Sequence, residues 1–139
     1  MIDIENNTSF DLNTSLLEDI TTSLTSKDIE LIIVNNDEIQ ELNKEHRNIN
    51  KATDVLSFPL EFDMSNMPLG SIVISLDFVE DKAKEYGHTS HEEFSLLFIH
   101  GLLHLLGFDH EIDSGEHREK EEELIKQFHL PNSLIVRNS

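Results

Sequence analysis

The stretch from Phe94 to Leu106 constrains the fold most: it is apolar almost throughout, yet it carries His100 and His104. A helix that crosses a bilayer needs about 20 consecutive apolar residues, and this stretch is too short. It reads instead as a buried helix of a globular core. Ser90 with Glu93 has the spacing of a capping box at its start, and Gly107 can adopt the left-handed conformation that ends it.

The other elements follow from apolar periodicity and punctuation. A short strand is expected at Ile2 to Ile4, then an amphipathic helix on Leu12, Leu16, Leu17, Ile20 and Leu24. Ile29 to Val34 reads as a buried strand, and Asp37 with Gln40 opens a short helix to about Glu45. Asp54 to Leu60 and Ser71 to Leu76 are strands expected to pair, with Met67, Pro68 and Gly70 in their connection. Asp77 with Glu80 starts a helix that Gly87 stops, and Asp113 with Glu116 starts the last, to about Phe128. No repeat or Pro/Gly-rich linker divides the 139 residues, so a single domain, 1–139, is expected. Its class is α/β (α+β): a small sheet of about four strands packed with several helices, with a metal site on a central helix and the following turn.

The chain has no cysteine, so a transition-metal site must use imidazole, carboxylate or water. His100 and His104, four apart, project from one helix face and can chelate one ion. Gly107 lets the chain turn back, so that His110 completes a set of three nitrogens. Three neutral imidazoles suit Zn²⁺ with a fourth position open; Ni²⁺ or Fe²⁺ accepts the same donors. Coordination lowers the pKa of water to roughly 7, so hydrolysis is the natural reaction class.

Simple core packing competes with this reading, but each unsatisfied buried imidazole would cost roughly 1–3 kcal/mol, which a shared ion removes. A purely structural site would need a fourth protein ligand, for which Asp109, Asp113 or His117 is available. His46, His88, His91, His117 and His129 otherwise read as surface residues.

Ten Lys and Arg against 28 Asp and Glu give a formal charge of −18, which repels polyanions at long range and argues against a nonspecific nucleic-acid binder. The charge is uneven. Lys44, Arg47 and Lys51 cluster with only Glu45 against them, whereas Asp109 to Glu123 is dominated by carboxylates. The acidic start, MIDIENN, lacks the basic and apolar regions of a secretory signal, so a cytoplasmic location and no membrane role are expected.

The spacing His-x3-His-x2-Gly-x2-His equals that of the metzincin proteases, but Gly101 stands where their general base is a glutamate. Met1, Met64 and Met67 all precede the motif, so no Met-containing turn follows it, and a conventional peptidase is disfavoured. The stretch HGLLHLLGFDH instead resembles the signature of the YbeY endoribonuclease family of bacterial rRNA maturation factors, with Phe108 in place of tyrosine. LNKEHRNINKATDVLSFPLE and LGSIVIS resemble further blocks of that family, Ser71 replacing an aspartate. The resemblance runs from Leu42 to about Glu123.

It implies a metal-dependent, single-strand-specific endoribonuclease acting in 16S rRNA 3′-end maturation and ribosome quality control. His100, His104 and His110 would hold the metal and Arg47 would grip a substrate phosphate; a surface salt bridge to Glu45 is the plainer role for Arg47. Asp109 would orient a ligand imidazole, accept a proton or cap a helix. The implied partners are an rRNA precursor, a basic small-subunit ribosomal protein and an assembly GTPase, without DNA. The acidic surface favours basic protein partners, since few cations are available for phosphate. A hydrolase of another substrate, such as a peptide, and a noncatalytic, metal-stabilised assembly factor are the alternatives.

Overall fold

The computed structural model describes residues 2–59, 67–109 and 112–130. Nine elements follow one another: β1 Ile2–Asn6, α1 Thr14–Thr22, β2 Ile29–Val34, α2 Asn36–Arg47, β3 Val55–Pro59, β4 Gly70–Ser75, α3 Leu76–Tyr86, α4 Ser90–Leu105 and α5 Glu116–Phe128. The strands form one mixed sheet in the order β1-β2-β4-β3. β1, β2 and β4 are parallel, while β3 runs antiparallel to β4, with Leu56 opposite Val73 and Ser57 opposite Ile72. The expected pairing of the two strands around Pro68 is therefore present.

Strand position explains strand composition. β2 (IELIIV) and β4 (GSIVIS) are central and covered on both faces, so they are apolar on both. β1 lies at an edge and buries only Ile2 fully. Alternation along the strands then creates two apolar layers. On one face Ile29, Leu31, Ile33, Ile72 and Ile74 pack against Leu17 and Ile20 of α1, Val79 of α3 and the apolar residues of α4. On the other, Val34, Leu56 and Val73 pack against Ile39 of α2.

Helix α4 lies at the centre of the larger layer. From Glu93 to Leu105 every residue is buried except His104, as the apolar run requires. Its cap sits one residue earlier than expected: Thr89 Oγ1 accepts from Glu92 N, and Glu92 Oε1 accepts from Thr89 N. Glu93 is instead drawn into the core, where its carboxylate lies 2.7 Å from His88 Nε2. At the other end Gly107 has φ +101°, the left-handed turn anticipated for it.

Gly101 sets how closely α4 approaches the sheet. A Cβ there would lie 3.0 Å from Ile72 Cγ2, 3.1 Å from Ser57 Oγ and 3.2 Å from Val55 Cγ2. Ser57 Oγ donates to the Gly101 carbonyl at 3.0 Å, tying β3 to the helix. Position 101 thus faces the sheet, and a glutamate has no room there. That is a physical reason why the carboxylate of a metzincin cannot occupy this helix.

Candidate metal centre

One turn of α4 separates His100 from His104, and their ring centroids lie 5.0 Å apart at an interplanar angle of 72°. His100 is nearly covered, whereas His104 is half-buried and opens toward solvent. His110 lies outside the described residues.

Helix α5 covers the pair. Its buried face is His117, Glu121 and Leu124, the i, i+4, i+7 spacing of one helical stripe. The His117 ring lies 4.7 Å from that of His100, nearly parallel at 23°, and 4.9 Å from that of His104, nearly perpendicular at 89°. His117 is fully buried, so its assignment to the surface is corrected: α5 packs its histidine stripe onto α4. Asp113, just before α5, accepts from His117 N and Gly115 N and so fixes the start of the helix, where Gly115 occupies the N-cap position.

Glu121 was not singled out from the sequence. Its Oε2 accepts from His100 Nδ1 at 2.6 Å and lies 3.2 Å from His117 Nε2. Burial pushes its carboxyl up, but hydrogen bonds from His100 and His117 outweigh this and hold it below the ordinary glutamate value. For His100, the carboxylate beside the imidazole is therefore Glu121. Asp109 contributes its backbone carbonyl to the turn, accepting from Ile112 N and Asp113 N.

The donors fit a divalent metal. They are imidazoles without thiolates, one turn apart on a helix, one buried and one half-buried, with a buried carboxylate behind one ring. His100, His117 and Glu121 also offer one ligand atom each within 4.8 Å of one another.

Arg47 belongs to a different element. It is exposed and is the last residue of α2, whose Ile39 packs on the sheet face opposite α4. The helix ends at Asn48 in a left-handed conformation, φ +57°. Behind it, buried Asn43 donates through Nδ2 to Lys51 O at 2.9 Å and so clamps the loop that carries Lys51 against the helix end that carries Lys44 and Arg47. His46 rests on Phe58 of β3 with ring centroids 4.9 Å apart. Of the other histidines read as surface residues, His88 is half-buried with its ring against Glu93, and His91 is exposed and bonded through Nε2 to Asp11 O. His129 is exposed at the end of α5.

Comparison with known proteins agrees with this architecture. The family described as Endoribonuclease YbeY matches residues 3–129. A relative named endoribonuclease YbeY from Aliarcobacter butzleri is 71% identical over 140 residues, covering 100% of both chains. Another from Sulfurimonas denitrificans is 61% identical over 138 residues, covering 99% of each. Among solved structures, the solution structure of a Thermotoga maritima protein shares 31% identity with a TM-score of 0.63, over 92% of this chain and 89% of that one.

Proposed function

The chain belongs to the YbeY endoribonuclease family, and we propose from that premise that it hydrolyses single-stranded RNA with a metal held by His100, His104 and His110. The observation that supports this best is the His100–His104 pair, ring centroids 5.0 Å apart, in the stretch of α4 that is otherwise buried from Glu93 to Leu105. Zn²⁺ suits three neutral imidazoles, and Ni²⁺ or Fe²⁺ accepts the same set. When bound, the ion supplies Lewis acidity to water and to a phosphoryl oxygen.

The remaining work falls to the chain itself. The exposed Arg47 guanidinium grips a backbone phosphate of the substrate through two charge-assisted hydrogen bonds. Lys44 and Lys51 add positive charge beside it. The biological substrate we assign is precursor 16S rRNA at its 3′ end, in maturation and ribosome quality control within the cytoplasm. With a formal charge of −18 the protein is poorly suited to gather RNA alone. Delivery by a basic small-subunit ribosomal protein and an assembly GTPase answers that deficit. Among the described residues no helix is long and apolar enough to cross a membrane.

A second grouping, His100, His117 and Glu121, is favoured by the 4.8 Å limit within which their donor atoms lie. Elemental analysis of the purified protein, followed by cleavage of an rRNA precursor, tests the proposal. Wild type is expected to carry metal and cut; His104→Ala loses both, and Arg47→Ala keeps its metal but cuts more slowly. Equal cleavage by all three would identify a contaminating nuclease. Metal retained by His104→Ala at wild-type affinity would favour the second grouping.

A further inference from the structure

We propose that Glu121 is the positioning residue of the centre: it fixes the tautomer of His100 so that Nε2, and not Nδ1, is presented to the ion, and it is not itself a ligand. This rests on the metal reading above and specifies which atom of His100 is used.

The distance separates the two roles. Two donors of one tetrahedral ion, each about 2.0–2.1 Å from it, are about 3.3 Å apart. Glu121 Oε2 and His100 Nδ1 are 2.6 Å apart, too close for two ligands of one ion and next to the roughly 2.7–2.9 Å of a charge-assisted N–H···O hydrogen bond. A shared proton fits that gap. With a carboxylate oxygen this close to Nδ1, the neutral His100 ring carries its hydrogen on Nδ1, so Nε2 keeps its lone pair. The carboxylate cannot swing away, because it is buried and α5 packs on α4. His117 lies 3.2 Å from the same oxygen and stacks on the His100 ring, which holds carboxylate and imidazole in register. A carboxylate behind a ligand imidazole also raises its basicity, and loss of such a partner typically weakens metal binding by about 10- to 100-fold.

The test uses the full chain and two readouts. The first is ¹⁵N NMR of the histidine rings in metal-free protein, with His100 identified by its absence in His100→Gln. The expected state of His100 is Nδ1–H in wild type and in Glu121→Gln, whose amide oxygen can still accept, with a tautomer mixture in Glu121→Ala. Wild-type His100 as the Nε2–H form overturns the proposal, and this readout needs neither metal nor variant. The second is the Zn²⁺ dissociation constant by competition with a chromophoric chelator. Glu121→Ala is expected to bind about 10- to 100-fold more weakly, with Glu121→Gln between it and wild type. A loss in both variants as large as in His100→Ala would make Glu121 a ligand, and no loss would make it structural; either overturns the assignment. Wild type that binds no Zn²⁺ while showing Nδ1–H at His100 would instead sink the metal reading.

Discussion

Replacing Gly101 by alanine should destabilise the protein, although the same change in an open helix stabilises it. An interior helical glycine costs about 1 kcal/mol relative to alanine, so relief of that cost favours the variant. Against it stand three close approaches, 3.0 Å to Ile72 Cγ2, 3.1 Å to Ser57 Oγ and 3.2 Å to Val55 Cγ2. All three belong to strands, not to long flexible side chains, and carbon atoms pack best at about 3.5–4.0 Å. Overpacking of this kind typically costs 1–3 kcal/mol, so the net effect is a loss of about 0–2 kcal/mol. For a chain of this size about 1 kcal/mol moves Tm by roughly 4 °C, which gives a fall of up to about 8 °C. Thermal denaturation followed by circular dichroism reads it directly. A rise in Tm of about 4 °C, the full propensity gain, would refute the claim that α4 touches the sheet at this glycine. Gly101→Glu carries the argument further. It buries a carboxylate against β3 and β4 and should cost more than about 4 kcal/mol, enough to prevent folding.

Other consequences can be measured separately. Phe98→Ala removes a fully buried ring from α4 and should cost about 3–5 kcal/mol, lowering the urea midpoint with an unchanged m-value. Glu92→Gln weakens the capping box by less than about 1 kcal/mol at neutral pH, since the group is solvent-screened. The hydrogen bond from Thr89 N lowers the Glu92 pKa, so this stabilisation is complete above the ordinary glutamate value and lost as pH falls through the lowered one. The Tm gap between wild type and variant should therefore close in acid. If RNA is held by Lys44, Arg47 and Lys51, log K against log salt should have a slope no steeper than about −2, at about −0.7 per cation on a single strand. Arg47→Ala should make it shallower by about 0.7, and an unchanged slope would place the RNA elsewhere.

Much of the fold is legible because apolar period and burial coincide. Ile29 to Val34 lies where its run of β-branched residues places it, as a strand covered on both faces. The helix ends are less legible, since capping patterns overlap in sequence. Thr89 with Glu92 and Ser90 with Glu93 both fit the same spacing, and the choice is made by His88, which holds Glu93 in the core. At α2 the cap is Asn35, whose side chain accepts from Glu38 N, and not Asp37. Asp77 is likewise used elsewhere, its carboxylate accepting from Asn36 N and joining the starts of α2 and α3. The strand order β1-β2-β4-β3 is set by which helix covers which face, and no local pattern encodes that.

The centre was half legible for a related reason. His100 and His104 stand out because two imidazoles interrupt an apolar run, so helical spacing alone places them together. His117 and Glu121 have the same four-residue spacing, but they sit among Glu116, Glu119, Glu122 and Glu123, where one more carboxylate carries no signal. What distinguishes them is that Leu124 continues their stripe, so that 117, 121 and 124 form the inward face of an otherwise charged helix. A buried carboxylate on such a face must find a donor or bear a large desolvation cost. Besides His117 on its own helix, a donor comes from the helix it covers, where the polar groups facing α5 are imidazoles. Two four-residue pairs on two packed helices therefore meet for a reason that either sequence segment contains only in part: one supplies rings that need orienting, and the other supplies the charge that orients His100.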